Sequence, residues 1–106
     1  MNPLIQTVLS ALQKSLRGLY GDRLVQLVHY GSTARGDAEP DSDIDLLVVL
    51  KGPVDAGLEI ERTGEVVSTL SLRHDVVIAC IFMDQERFFH RHGPFLRNVR
   101  QDGITL

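Results

Sequence analysis

The stretch from residue 31 to residue 45 reads GSTARGDAEPDSDID, and five of its fifteen residues are Asp or Glu. It runs directly into LLVVL, residues 46–50, an apolar run of the kind that forms a buried strand. A carboxylate beside a core is unfavourable unless a partner offsets its charge. Asp43 and Asp45 are two apart, and residues i and i+2 of a strand share a face, about 6.6 Å apart along the chain. Two carboxylates so placed can reach one divalent metal or bracket two. Magnesium is the natural candidate, because it takes hard oxygen ligands together with phosphates and water. Asp75 heads another apolar run, and it joins the pair if the two strands lie side by side, about 4.8 Å apart. Three acids so crowded repel one another, so the cluster makes sense with a cation present. Taken singly, an Asp at a strand start also reads as a cap or turn residue, and this is the favoured reading of Asp75 alone.

Gly31 and Ser32 directly follow a stretch, residues 23–30, that reads as a strand. Backbone N–H groups at a helix start attract phosphate, glycine permits close approach, and a serine hydroxyl adds a donor. By itself a Gly-Ser pair after a strand is a plain turn. Its meaning here comes from Asp43 and Asp45, close enough in the chain for cradle and carboxylates to share one edge of a sheet.

The elements that must position these residues follow from periodicity and capping. Asn2 caps and Pro3 opens a helix over about 3–19, with apolar residues at helical spacing and Gly18 or Gly21 to end it. Residues 23–30 alternate as a strand, STAR forms a helical turn, and IDLLVVL is a second strand closed by KGP. Asp55 caps a helix weakened by Gly57 and Gly64. Residues 75–82 form a third strand, apolar almost throughout, as in a central strand covered on both faces. Asp84 caps QERFFHRH, Gly93-Pro94 breaks it, and a last helical turn or two follows. The order is α-β-α-β-α-β-α, an α/β (α+β) arrangement of a small sheet with helices packed against it.

At 106 residues the chain is expected to be a single domain, 1–106. A net charge of −3 argues mildly against direct nucleic-acid binding but not against a nucleotide that brings its own magnesium. No apolar run approaches the roughly 20 residues of a membrane span, and the start lacks a basic signal region. A cytoplasmic protein is expected. Cys80, the one cysteine, sits in VVIACIF and reads as buried and inert. The run His90-Arg91-His92 reads as a solvated helix end, and His29 and His74 as ordinary strand-end residues. Arg87, Arg91, Arg97 and Arg100 make the last segment basic, either a solvated face or a docking surface. Phe88, Phe89, Phe95 and Leu96 read mostly as core.

The composite GSTARGDAEPDSDIDLLVVL resembles the signature of the polymerase-β-type nucleotidyltransferases: Gly-Ser, an Arg-Gly soon after, then Ser-Asp-x-Asp leading into an apolar strand. HDVVI matches the third acid expected at the head of a later strand. The small size and the ending FLRNVRQDGITL look most like the minimal nucleotidyltransferases, which are often encoded beside HEPN-domain proteins. The signature covers about 20 residues, and the element order fits nearly the whole chain. The resemblance implies a polymerase-β-like core and transfer of AMP from ATP to a protein hydroxyl, with tyrosine the first choice. It implies two magnesium ions, with manganese able to substitute, held by Asp43, Asp45 and Asp75. Gly31 and Ser32 would hold the β- and γ-phosphates. Arg35 would orient the acidic loop or touch phosphate, or else pair with Asp37, Glu39 or Asp41. Thr33 stands where many members carry a basic or aromatic residue. The implied partner is a HEPN-type toxin ribonuclease in complex with this chain as antitoxin. A non-catalytic antitoxin that occludes its toxin, and an antibiotic nucleotidyltransferase completed by dimerisation, are the alternatives.

Overall fold

A computed structural model describes residues 2–39 and 41–106. Helix α1 spans Pro3–Tyr20, and a 3-10 turn, Gly21–Arg23, leads into strand β1, Leu24–Tyr30. Then come α2 (Ser32–Arg35), β2 (Ile44–Leu50), α3 (Ala56–His74), β3 (Ile78–Asp84), α4 (Gln85–His90), α5 (Pro94–Asp102) and β4 (Ile104–Thr105). Three helix starts obey the capping logic of their side chains. Asn2, Asp55 and Asp84 each accept a backbone N–H two or three residues on, from Leu4, Leu58 and Arg87. Gly21, at a positive φ of 54° that favours glycine, ends α1.

The sheet runs β3-β2-β1-β4. Strands β1 and β2 are antiparallel, with Tyr30 opposite Asp45 and Leu24 opposite Leu50. Strand β3 lies parallel to β2, with Ala79 opposite Asp45, and the crossover between them is α3. Strand β2 is the central, fully covered strand. Its even residues, Ile44 to Leu50, join Leu27, Ile78 and Phe82 against α1 and α3, where Leu12 and Leu16 are completely buried. Its odd residues, Leu47 and Val49, join Val28 against Phe88, Leu96 and Val99 of α4 and α5.

Three expectations are corrected here. Strand β3 is an edge strand, not a central one, and Ile81 is 40% exposed on it. Its apolar side chains reflect packing on α3 from one face, a burden that composition alone does not separate from two-sided burial. It begins at Ile78 rather than at residue 75, because α3 continues to His74 and the chain needs three residues to turn. The chain after Pro94 forms the expected last helical turns, but a short strand, β4, follows them and pairs with β1 through Val28 and Thr105. Phe88 and Leu96 are core as expected, whereas Phe89 and Phe95 are exposed.

The end of the sheet away from the acidic loop is tied by Glu59, which is 1% exposed. It accepts from the Tyr20 hydroxyl at 2.8 Å and from Arg23 Nη1 at 2.9 Å. Arg23 also donates to the carbonyls of Lys51 and Pro53, so one guanidinium joins α1, α3 and the β2–α3 turn. Burial works to raise the Glu59 carboxyl's proton affinity, but the Tyr20 and Arg23 hydrogen bonds and the Arg23 and Arg62 charges outweigh it and hold it below the usual carboxylate range.

Candidate active site

At the other end of the sheet, β1 hands over to Gly31 with φ 82°. A side chain there would run into the Asp45 carboxylate, so the backbone of the Gly-Ser turn is packed directly on that acid. The antiparallel register makes this inevitable once Tyr30 pairs with Asp45. Asp43 precedes β2 by one residue. The Ile44 N–H donates to the Val77 carbonyl at 2.8 Å and holds that entry extended, so Asp43 and Asp45 share a face. Asp45 is half-buried, and burial, then the charge of Asp43, pushes its carboxyl above its ordinary value. Two oxygen-donor side chains with an electrostatic preference for added positive charge fit a divalent cation.

Asp75 is not brought to this pair. It caps the C-terminus of α3 in the left-handed conformation, φ 53° and ψ 51°, and is exposed. A helix that runs to His74 and then turns back toward a strand needs a left-handed residue there, and Asp tolerates it better than most. Among the described residues, no three His, Cys, Asp or Glu side chains converge as a metal-binding group. Arg35 takes the ion-pair alternative: its Nε lies 3.2 Å from Asp37 and its Nη1 3.4 Å from Asp102, all at the surface. It thereby joins the acidic loop to the end of α5. Ser32 opens α2, one residue past Gly31, and is half-buried.

Tyr30 and His29, which sequence reasoning did not assign to the site, lie beside it. The Tyr30 ring packs edge-on against Phe95 at 5.5 Å between centroids, and burial, Asp45 and Cys80 push its phenol up to about 12. The signal for it was the alternation of β1, which puts Tyr30 on the Asp45 face. His29, read as an ordinary strand-end residue, is 0% exposed and places Nε2 2.8 Å from the Thr33 hydroxyl. Cys80 is half-buried behind this face, and burial pushes its thiol up to about 11.

A four-stranded mixed sheet with an Asp-x-Asp strand packed on a Gly-Ser turn is the architecture of a nucleotidyl-transferring domain. The family model described as the nucleotidyltransferase domain matches residues 9–103, and the chain belongs to that family. Within it, the chain is 36% identical over 93 residues to a Methanocaldococcus jannaschii protein provisionally named a protein adenylyltransferase, covering 87% of each chain. It is 35% identical over 74 residues to the protein adenylyltransferase MntA of Thermococcus cleftensis, covering 70% of this chain and 73% of that one. In fold it is similar to a chain of a toxin–antitoxin crystal structure with AMP-PNP, with a TM-score of 0.64 at 19% identity. That match covers 91% of this chain and 69% of the other.

Proposed function

We propose that this chain moves AMP from ATP to a hydroxyl of a partner protein, and that the partner is a HEPN-type toxin ribonuclease that AMP transfer silences. The observation that carries the reading is the Asp45 carboxylate seated against Gly31 with Asp43 beside it on the same face. The names of the relatives, which are protein adenylyltransferases, support the choice of AMP and of a protein acceptor. The toxin–antitoxin neighbour with AMP-PNP supports the kind of partner.

Asp43 and Asp45 would hold magnesium, which supplies charge neutralisation at the phosphates and lowers the pKa of an acceptor hydroxyl. Gly31, lacking a side chain, leaves the turn open to a close-lying phosphate, and the Ser32 hydroxyl is a donor toward it. The acceptor oxygen bonds to the α-phosphorus, the bond between α-phosphorus and the bridging oxygen breaks, and pyrophosphate leaves. The hydroxyl proton passes to a carboxylate or to water. Tyrosine is the preferred acceptor, since a phenol with a pKa near 10 deprotonates more readily than an alkyl hydroxyl. Positioning and charge stabilisation carry most of such a reaction, so few side chains suffice.

One observation favours a second reading, in which the chain neutralises its toxin by occlusion: among the described residues Asp75 caps α3 and does not form a three-residue metal-binding group with Asp43 and Asp45. A single experiment separates the two. The partner, mixed with this protein, ATP and magnesium, should gain mass in steps of one AMP and lose its toxicity. Both effects should vanish with Asp43→Asn. Growth rescue by that variant with an unchanged partner mass would establish occlusion instead.

A further inference from the structure

Helix α2 is a single turn of four residues, too short to persist on its own. Its N-cap, Gly31, offers no side chain to cap it, and Thr33 is its only buried residue. Yet this turn is packed on Asp45 more tightly than a methyl group would allow. Something must fix its height above the sheet. Among the described residues, the one side-chain hydrogen bond from the sheet into α2 is the 2.8 Å contact between His29 Nε2 and Thr33 Oγ1. His29 lies in β1 directly opposite Leu46, the residue that follows Asp45 in β2. The frame that carries the acid therefore also carries the imidazole that reaches the turn.

We propose that His29 is a positioning residue: through Thr33 it pins the Gly31–Arg35 turn to the sheet and so sets the distance between the Ser32 donors and the Asp45 carboxylate. The inference rests on the nucleotide reading of the site for its functional consequence, but not for its structural one. The second ring nitrogen supports it. His29 Nδ1 is buried and, among the described residues, has no hydrogen-bond partner. An orphaned N–H is rarer in folded proteins than an orphaned acceptor, so the proton belongs on Nε2, donating to Thr33 Oγ1, with Nδ1 bare. Burial also lowers the proton affinity of the ring and keeps it neutral. The four-residue spacing from His29 to Thr33, across the strand end, lets a strand residue reach the turn that follows it.

The test uses Thr33→Val, which keeps the shape and removes the hydroxyl, and Thr33→Ser, which keeps the hydroxyl. His29→Leu and His29→Gln form the matching pair, the amide nitrogen of Gln standing near the place of Nε2. Amide hydrogen exchange is read first, at Ala34, Arg35 and Gly36, whose N–H groups close the turn onto Gly31 and Ser32. Exchange there should quicken at least ten-fold in Thr33→Val and His29→Leu, stay near parent in Thr33→Ser, and be no faster in the Leu/Val double variant than in either single one. Long-range proton–nitrogen spectra of the parent should show a protonated Nε2 and a bare Nδ1. Magnesium-ATP affinity, measured by calorimetry, should fall about ten-fold in the same two variants and be retained in Thr33→Ser. Unchanged exchange in Thr33→Val, or equal losses in Thr33→Val and Thr33→Ser, would overturn the proposal. A parent that binds no magnesium-ATP but shows the exchange pattern would sink the nucleotide reading and leave the pin intact. Faster exchange with unaltered affinity would confine His29 to a structural role and overturn its positioning of the site.

Discussion

Asp45 is held in a place that disfavours its own charge. Burial and Asp43 raise its carboxyl above its ordinary value, so the folded state binds a proton more readily than the unfolded one. Without a cation, Asp45 lowers stability as pH rises through the window above its usual carboxylate value. Asp45→Asn removes that penalty. It should melt at or above the parent temperature in metal-free buffer while losing AMP transfer, and a variant that still transfers near the parent rate would remove the acid from the site. Cys80 illustrates the inert extreme. With its thiol raised to about 11, little thiolate exists at pH 8, and iodoacetamide should label it far more slowly than a free thiol until the protein is denatured. At this scale the sequence was informative about type and spacing. Asp43 and Asp45 needed only the period of a strand. Asp75 kept two readings, because a left-handed helix cap and a strand start look the same in a string of letters, and the cap favoured for it alone is the one the structure shows. His29 was passed over because nothing local marks a strand-end histidine as buried.

Among the elements, those governed by local rules were legible: α1, α2, β1 and β2 follow from caps, glycines and alternation. The edge position of β3 was not, since it is decided by which strand ends up beside β2. Strand β4 was not either, for its two residues are exposed and meet β1 through backbone pairing and a single Gln26–Thr105 side-chain hydrogen bond among the described residues. The packing of α1 on the sheet supplies a direct check. Leu12 is fully buried among Leu16, Leu46 and their neighbours. Leu12→Ala should lower the unfolding free energy by about 2–5 kcal/mol in urea titration. Glu59 ties α1 to α3, and its depressed carboxyl contributes stability above the unfolded pKa that is lost as pH falls through the folded value. Glu59→Gln should therefore be less stable at pH 7 and show a shallower loss of melting temperature on acidification below about pH 4.5. A parallel acid-denaturation profile in the two proteins would refute that role.

For the molecule as a whole, no helix is long and apolar enough to cross a membrane among the described residues. The five acids between residues 37 and 45 and the overall charge of −3 face an approaching nucleotide with repulsion. Nucleotide affinity should therefore depend strongly on magnesium. With both present at about 100 times the dissociation constant, ligand binding to the native state should add about 2.7 kcal/mol of stability, visible as a rise in melting temperature. ATP alone should give little, and no shift with either mixture would mean that the site does not work as proposed.

Strand β4 also sets an order of events during synthesis. Among the described residues, the outer edge of β1 is covered by the short β4, Ile104–Thr105, and by Leu106, whose N–H donates to the Leu27 carbonyl at 2.9 Å. A ribosome adding about 5–20 residues per second takes roughly 4–15 s to travel from Val28 to Thr105. Throughout that interval the nascent chain presents a bare strand edge, a template for pairing with any other extended chain nearby. A chaperone that shields β1 until β4 emerges, or a partner already waiting beside the ribosome, would act in those seconds.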